Sequence, residues 1–264
     1  MRWLVRHADC KRRLKMSNAW ITGAGKGIGR AVALELAAQG WTVAASARTD
    51  SELRELEVES QALSGEIHAY PLDVTSESDV ASTVAMIKNE HGALELVVLN
   101  AGTHTPVTAD SFETDVFRRL MDVNFFGTIN CLAAVLPGFR DHRTGHIAVV
   151  ASVAGYRGLP TSAAYGATKA ALINVCEALY PEFAREGVRI SLINPGFVRT
   201  PLTDRNPFPM PFLMEPNDAA RRLVKGLASG RFETTFPRRL TWLLKMLRVL
   251  PYAAYFRIMK RITL

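Results

Sequence analysis

Short apolar runs alternate along the chain with longer stretches in which apolar residues recur at helical spacing. The runs of strand length are 19–22, 41–47, 67–72, 94–100, 146–151 and 189–193. The stretches of helical length are 29–39, 51–63, 79–90, 112–136 and 163–186, the last with Pro181 as a point where a kink is expected. Strands that are apolar throughout are typical of parallel strands buried on both faces. The pattern predicts an α/β fold, a doubly wound parallel sheet with helices on both faces.

The end of the chain, 237–264, continues with two amphipathic helical segments separated by Pro251. Their apolar faces consist of Leu240, Leu243, Leu244, Leu247 and Leu250, and of Tyr252, Tyr255, Phe256, Met259 and Ile262. Basic residues occupy the opposite faces, as in helices that lie at a membrane interface, although packing over an active site or in a subunit interface explains the same pattern. We predict a basic N-terminal extension at 1–15, an α/β domain at 16–236 and a basic amphipathic C-terminal helical segment at 237–264.

The formal net charge of +7 is concentrated at the two ends of the chain. Residues 1–15 contain six basic residues and one acid, and residues 231–264 contain eight basic residues and one acid. The body between them is mildly acidic, so it is the ends that favour an anionic surface as partner. The N-terminal end is either an Arg-rich mitochondrial presequence or an extension upstream of a natural start at Met16.

Length, cysteine content and apolar runs exclude several classes of protein. The 264 residues suit one large α/β domain without internal repeats. Cys10, Cys131 and Cys176 lie too far apart for a disulfide framework or a Cys-rich zinc site, which indicates a reducing, cytoplasmic compartment; we predict no metal site. The longest uncharged stretch, 123–139, has 17 residues. A membrane-spanning helix needs ~20, so we expect a buried core helix there.

A glycine-rich turn, Thr22-Gly23-Ala24-Gly25-Lys26-Gly27-Ile28-Gly29, joins the first predicted strand to the first predicted helix. Glycines let the backbone approach a pyrophosphate, and the helix points its free N–H groups and positive dipole end at that anion. We therefore predict that a dinucleotide binds to Gly23, Gly25, Lys26, Gly27, Ile28 and Gly29. The alternative is a tight turn without a ligand.

The end of the second strand distinguishes the two nicotinamide dinucleotides. An acidic residue there binds the ribose 2′-hydroxyl of NAD and repels a 2′-phosphate. The chain instead has Arg48, with no acid before Asp50. Arg48 can hold a phosphate with two hydrogen bonds, and Lys26 adds a second cation. These residues favour NADP(H) over NAD(H), unless both cations are ordinary surface charges.

Tyr165 and Lys169 are four residues apart, on one face of a predicted helix. A tyrosine with its ordinary pKa of ~10 is a poor base at neutral pH. A nearby cation favours the phenolate and lowers that pKa. Tyr165 is therefore a candidate acid/base for a carbonyl or alcohol oxygen, although such a pair alone is a weak signal.

Two polar residues strengthen this signal. Ser152 follows a predicted strand, at the edge of the sheet where a doubly wound fold binds its ligand, and can donate a hydrogen bond to a substrate oxygen. Asn124 lies inside an apolar helix and needs hydrogen-bond partners. The alternatives are an ordinary turn serine and a structural amide.

Together the motifs resemble those of the short-chain dehydrogenase/reductase family. They are Thr22-Gly23-x-x-x-Gly27-Ile28-Gly29, Asp73-Val74, Asn100-Ala101-Gly102, Asn124, Ser152, Tyr165-x-x-x-Lys169 and Asn194-Pro195-Gly196, in the family's order between about residues 17 and 230. The resemblance implies a Rossmann-like fold, hydride transfer between NAD(P)(H) and a carbonyl or alcohol, and a homo-oligomer, dimer or tetramer. Leu99 and Ala151 depart from the family's common asparagine and serine, which should not affect activity.

The resemblance also implies residue roles. Tyr165 would be the proton donor or acceptor, Lys169 would lower its pKa and hold the nicotinamide ribose, and Ser152 would orient the substrate oxygen. Asn124 would position a water that connects Lys169 to solvent. The implied cofactor contacts are Asp73 and Val74 at the adenine, Asn100, Ala101 and Gly102 along the channel, and Pro195, Gly196, Val198 and Thr200 at the nicotinamide.

The segment 201–214 corresponds to a substrate lid in that family. Its prolines and its Phe, Leu and Met side chains favour an apolar, lipid-like substrate, unless the loop simply packs on the core. Nucleic acid is not an expected partner, because basic and aromatic residues lie on separate helix faces. A non-catalytic nucleotide sensor or a membrane-surface scaffold is the rival hypothesis, and the complete catalytic set argues against a sensor.

Overall fold

The structure, a computed structural model, describes residues 17–205 and 208–263. Its strands are β1 Asn18–Thr22, β2 Thr42–Ala47, β3 Glu66–Pro71, β4 Leu96–Leu99, β5 His146–Val150, β6 Arg189–Pro195 and β7 Glu233–Phe236. Its α-helices are α1 Gly27–Ala38, α2 Asp50–Ser60, α3 Glu77–His91, α4 Thr114–Met121, α5 Gly127–His142, α6 Ala163–Arg185, α7 Pro216–Ala228, α8 Arg238–Val249 and α9 Tyr252–Thr263. The predicted extension 1–15 and Met16 lie outside the described residues.

Within these residues the seven strands form one parallel sheet in the order β3-β2-β1-β4-β5-β6-β7. Successive side chains of a strand point to opposite faces, so the central strands contribute to two cores. Trp20 and Ile147 pack with residues of α3, α5 and α6, whereas Ile21 and Ala148 pack with residues of α1, α2 and α7. The predicted doubly wound sheet is confirmed.

The strand order reverses at β1, which pairs with β2 on one side and with β4 on the other. In an open α/β sheet the ligand crevice lies at such a switch point, beyond the carboxyl ends of the strands. The loops after β1 and β4 begin with Gly23 and Asn100. The topology alone therefore brings the glycine loop and the Asn100-Ala101-Gly102 motif together.

Two elements, α7 and β7, do not appear among the predicted strands and helices. β7 reads Glu-Thr-Thr-Phe and only Phe236 is buried, so it has no apolar run and is defined by its pairing with β6. α7 carries a buried apolar face at helical spacing, which packs against α1. Helix α6 continues through Pro181 to Arg185.

The apolar face that the sequence suggests for membrane contact in α8 is turned largely toward the protein. Leu240 is buried, and Leu244, Leu247 and Leu250 are half-buried, whereas Leu243 is exposed. In α9 the predicted face is divided: Tyr255 and Met259 are buried, Tyr252 and Phe256 are exposed, and the side chain of Ile262 lies outside the described ones. The leucine face of α8 therefore packs mainly against the rest of the protein.

One described helical stretch, Thr114–His142, is long and apolar enough to cross a bilayer, a property that core helices share. It contains the uncharged run 123–139 and a five-residue π-helical turn, Asp122–Phe126, between α4 and α5. Its buried residues, among them Leu120 and Val135, belong to the cores, and it packs against α3 and α6. A core helix is the reading that these contacts support.

His146 makes the stability of this fold sensitive to acid. Burial, assisted by the nearby Arg189 cation, lowers the pKa of His146 to about 4, and its ring nitrogen lies 2.8 Å from the Ser191 hydroxyl. The unfolded chain therefore takes up a proton near pH 6.5 that the folded chain resists, so stability falls as the pH drops below 6.5. We expect a loss of about 2 kcal/mol at pH 5.

This loss is measured by urea unfolding at pH 7 and pH 5. The variant His146→Gln keeps a hydrogen-bonding side chain without the titration, so its free energy of unfolding should decrease less between the two pH values. An equal decrease in both proteins would contradict the assignment to His146.

Candidate active site

A cleft follows the carboxyl ends of the strands at the switch point. It consists of two cavities, of about 370 and 100 Å³, which share lining residues. The larger is lined by the glycine loop and by residues after β2 and β3, and the smaller by residues around Tyr165. Both are lined by Ile28, Asn100, Gly102, Thr200 and Leu202. The cleft therefore joins the predicted phosphate loop to the predicted catalytic residues.

Backbone conformation and close packing fix the glycine loop. Gly23 and Gly27 have positive φ angles of 67° and 57°, which favour glycine. A Cβ on Gly29 would lie 2.2 Å from the Gly23 carbonyl oxygen. The Asn100 side-chain amide donates to the carbonyls of Thr22 and Gly23, each at 3.1 Å. Gly29 thus supports the loop from behind, and the other predicted residues of the loop, from Gly23 to Ile28, line the cleft.

The far end of the larger cavity contains Arg48, Asp73 and Val74 as predicted. The Asp73 carboxylate accepts hydrogen bonds from the Thr75 N–H and hydroxyl, at 3.0 and 2.8 Å. Burial acts to raise the pKa of Asp73, but these bonds and the Arg48 cation outweigh it and lower the pKa. Asp73 is therefore a fixed carboxylate, and Arg48 is an exposed cation beside it.

Glu52 adds an acid at this end that the sequence reasoning missed. Its carboxylate forms an ion pair of 2.7 Å with Lys26 and lies so close to the loop that a Cβ on Gly25 would be 2.5 Å from its Oε2 atom. Lys26 is thus neutralised by a neighbour from α2 and is not the free second cation that its position suggested. Arg48 remains as the cation without a short ion pair among the described residues of this cavity.

Tyr165, Ser152 and Lys169 converge on the smaller cavity. Ser152 follows β5 and Tyr165 lies in the first turn of α6, and the Ser152 side chain is close enough to the phenol to lower its pKa. Lys169 is buried, donates 2.9 Å to the Val150 carbonyl, and has its Nζ atom 5.6 Å from the centre of the Tyr165 ring. Pro195, Gly196, Val198 and Thr200 line the same cavity.

The pKa of Tyr165 differs from the sequence expectation in direction. Burial raises the pKa of Tyr165 to about 12, against which the Ser152 hydrogen bond acts only partly. Burial also lowers the pKa of Lys169 to about 8. Desolvation of the phenolate sets the direction of the shift, and the Lys169 ammonium, which donates to the Val150 carbonyl, does not reverse it. At neutral pH Tyr165 therefore carries its proton.

Asn124 lies behind the cleft and does not line it. It is fully buried in the π-helical turn, accepts 2.7 Å from the Thr103 N–H, and donates to the Thr103 carbonyl at 2.9 Å and to the Thr168 hydroxyl at 3.1 Å. Asn124 thus connects the loop after β4 to helix α6. These are the contacts of a structural amide, which was the alternative reading; the water position remains a prediction.

The comparisons with known proteins agree with this geometry. The chain matches the short chain dehydrogenase family over residues 17–207. An uncharacterized oxidoreductase of Myxococcus xanthus is 40% identical over 233 residues, which are 88% of this chain and 92% of the relative. The protein belongs to the short-chain dehydrogenase/reductase family. It is accordingly an oxidoreductase of a family that binds NAD(P)(H).

Other short-chain dehydrogenases/reductases share the fold. A 3-ketoacyl-ACP reductase from Sinorhizobium meliloti is 29% identical, with a TM-score of 0.74 over 83% of this chain and 95% of that one. A short-chain dehydrogenase from Streptomyces avermitilis, 24% identical, superposes with a TM-score of 0.76 over 88% of this chain and 92% of that one, which shows the fold alone. The family match ends at residue 207, before α7, α8 and α9 begin.

The cleft of this short-chain dehydrogenase/reductase fits a dinucleotide. An added Cβ on Gly27 would lie 2.8 Å from Thr200, and one on Gly23 would lie 2.8 Å from the backbone of Ala101. Side chains at these positions would collide with neighbouring chain, whereas glycine leaves the backbone free to face the ligand. The loop is thus a cradle of bare backbone that continues into the catalytic cavity.

His104 is a further residue of the site that the sequence reasoning missed. It is buried, and its ring packs edge-on against the Tyr165 ring with centroids 4.9 Å apart. Leu202 and Thr203 of the loop after β6 also line the cavity beside Tyr165. His104 follows the Asn100-Ala101-Gly102 motif by two residues, and that proximity is the signal that could have identified it.

Proposed function

We propose that the protein is an NADP(H)-dependent reductase of a carbonyl group on an apolar, lipid-like substrate, and that it catalyses the reverse alcohol oxidation with the same residues. The observation that carries the proposal is the partly buried phenol of Tyr165, which carries its proton at neutral pH and lines the cleft beside Ser152 and Lys169. A carbonyl oxygen that gains electron density needs a proton donor, and this phenol supplies one. The structural neighbour named 3-ketoacyl-ACP reductase supports a carbonyl substrate.

We propose for these residues the roles that the family resemblance implies, and their positions around the cleft support them. NADPH, when bound, supplies the hydride. The Ser152 hydroxyl orients the substrate oxygen toward Tyr165, and the Tyr165 hydroxyl gives that oxygen a proton. Lys169 holds the nicotinamide ribose, and the fixed backbone of the glycine loop holds the pyrophosphate. Pro195, Gly196, Val198 and Thr200 form the wall against which the nicotinamide packs.

At neutral pH Tyr165 is in the protonation state from which reduction starts. Reduction requires the phenol form as its starting state, which a pKa of about 12 ensures. Oxidation requires the phenolate, whose population at pH 7 is about 10⁻⁵ at that pKa. This protonation state is tested by measuring kcat/KM for a panel of apolar ketones, aldehydes and the matching alcohols between pH 6 and pH 10: the value for reduction should not lose the proton donor in this range, and the value for oxidation should rise with pH as the phenolate population grows.

NADP(H) is the proposed cofactor because Arg48 can hold the 2′-phosphate. The variant Arg48→Ala should bind NADPH about 10-fold more weakly, a loss of ~1.4 kcal/mol, with little change for NADH.

Glu52→Gln should instead strengthen NADPH binding, because it removes the carboxylate and releases Lys26 from its ion pair. Both dissociation constants are measured by fluorescence titration of each purified variant.

The matched control is Arg54→Ala. Arg54 is an exposed arginine of α2 that pairs with Asp50 and Glu57 and does not line the cleft. If Arg48→Ala and Arg54→Ala have equal effects, Arg48 does not bind the phosphate. If neither nucleotide binds the unmodified protein, the reductase proposal is wrong and the nucleotide-independent scaffold hypothesis replaces it.

The apolar substrate is proposed from the loop after β6. Phe197 and Phe208 lie edge to face with centroids 5.9 Å apart, Phe212 is exposed, and Leu202 reaches the catalytic cavity. Asn206 and Pro207 of the predicted lid lie outside the described residues.

We also propose that the enzyme is cytoplasmic and peripheral on a membrane. We further propose a homo-oligomer formed through its long helices, and light scattering of the purified protein gives the subunit number.

A further inference from the structure

Helices α8 and α9 expose several large apolar side chains. Trp242 is 68% exposed, Met246 65%, Val249 81% and Tyr252 71%. Trp242, Met246 and Val249 lie four and three residues apart, which places them on one side of α8, and Tyr252 follows at the start of α9. The C-terminal apolar strip, as we name it, consists of Trp242, Leu243, Met246, Val249, Tyr252 and Phe256. Most large apolar side chains that a globular protein leaves exposed are scattered singly, so a contiguous strip indicates a partner.

On α8 this strip shares only Leu243 with the leucine face predicted from the sequence. Leu240 and Leu247 are buried or half-buried against the body, whereas the strip is on the other side of α8. The helix is thus apolar on two sides. The inner side packs against the protein, and no described residue covers the outer side.

Arg157 fixes the orientation of the two helices. Its Nη1 atom donates to the carbonyls of Leu247, Arg248 and Leu250 at 2.6, 3.1 and 2.7 Å, where α8 ends. Its guanidinium also lies 3.9 Å above the centre of the Tyr255 ring. Because these contacts tie the helices to the loop after β5, the outer face is held outward rather than folded back on the protein.

The charge around the strip selects the kind of partner. Exposed cations lie on the same two helices: Arg238, Arg239, Arg248, Arg257, Lys260 and Arg261. The one acid between 231 and 264 is Glu233, which is bound to Lys245, Tyr156 and Asn194. A second copy of the chain would bring the same unneutralised cations to face one another, whereas an anionic surface neutralises them.

We propose that the C-terminal apolar strip docks on the interfacial region of an anionic lipid bilayer. The aromatic and aliphatic side chains enter the boundary between headgroups and acyl chains, and the exposed arginines and lysines of the same two helices bind the lipid phosphates. This docking rests on the proposed peripheral membrane location and names the surface that would provide it, and it is independent of the reductase function because it requires neither cofactor nor substrate. Arg157 lies five residues after Ser152 along the chain, so docking also brings the loop beside the active site to the membrane surface.

The test is sedimentation of the full chain with vesicles, without nucleotide. Binding to phosphatidylcholine vesicles containing about one quarter phosphatidylglycerol should be at least ~10-fold stronger than to pure phosphatidylcholine, and should weaken at 1 M salt because screening is then strong. The variant Trp242→Ser/Met246→Ser/Val249→Ser should lose at least ~10-fold of this binding. Arg248→Gln/Arg257→Gln should lose the preference for the anionic lipid.

The matched control is Val58→Ser/Met86→Ser, which removes two exposed apolar side chains from α2 and α3, away from the strip. Equal binding by the control and the strip variant, or no binding of the unmodified protein to anionic vesicles, overturns the proposal. If the strip variant instead lowers the molar mass measured by light scattering, a second copy covers the strip and the membrane proposal is wrong. NADPH affinity, measured on the same samples, should not change, which separates this test from that of the reductase function.

Discussion

Replacing Tyr165 with phenylalanine should lower kcat for carbonyl reduction by roughly 10²–10⁴-fold, the usual contribution of a positioned acid or base. This corresponds to about 3–5 kcal/mol of transition-state stabilisation. The substitution removes one hydroxyl and keeps the ring, which packs against His104 with centroids 4.9 Å apart. NADPH affinity should therefore change by less than about threefold, or ~0.7 kcal/mol.

Steady-state kinetics with the best ketone of the substrate panel, together with an NADPH titration, measures both effects. Tyr180→Phe is the matched control, because Tyr180 lies on the same helix, is exposed and contacts the Phe232 ring away from the cleft. It should leave kcat within about twofold, as surface substitutions usually have small effects. Retention of most of the kcat by Tyr165→Phe would show that another group donates the proton.

The sequence identified the local parts of this site because each depends on a short stretch of chain. A glycine loop between a strand and a helix brings its backbone to the ligand whatever surrounds it. Tyr165 and Lys169 lie on one face of α6 because four residues make about one helical turn. Gly23, Asn100 and Ser152 all follow strands of one parallel sheet, so the topology alone places them at one edge.

The ion pair between Lys26 and Glu52 could not be predicted in the same way. Glu52 is two residues beyond Asp50, and its side chain reaches Lys26 only because the first turn of α2 packs against the glycine loop. The order of charged residues along the chain does not show how α2 is oriented relative to the glycine loop. The sequence therefore suggests that both Lys26 and Arg48 can bind a phosphate. In the structure Lys26 is paired with Glu52, and this role falls to Arg48.

The exposed side of α8 is a second case of the same kind. Leucines at positions 240, 244 and 247 form the more regular apolar stripe, and a regular stripe usually faces the core. The structure packs that stripe and leaves Trp242 and Met246 outside. A helix with two apolar sides has no unique orientation from periodicity, and the contacts of Arg157 with the end of α8 decide it.

Replacing Lys169 with methionine should raise the pKa of Tyr165 further and slow alcohol oxidation at neutral pH by about 100-fold. The Nζ atom lies 5.6 Å from the Tyr165 ring centre in a buried setting. A unit charge at that distance contributes about 3 kcal/mol, or ~2 pKa units, at an effective dielectric constant of 20. Methionine has a similar length and apolar bulk but no charge, so the phenolate loses this attraction.

The effect of Lys169 on alcohol oxidation should depend on pH. Because burial lowers the pKa of Lys169 to about 8, the cation is present below pH 8 and is lost as the pH rises through that value. The advantage of the unmodified enzyme over Lys169→Met in kcat/KM for oxidation should therefore be largest below pH 8 and decrease above it. Profiles from pH 6 to pH 10 measure this, with Lys169→Arg as the charge-retaining control. A constant ratio of the two profiles would mean that Lys169 acts by holding the ribose and not by stabilising the phenolate.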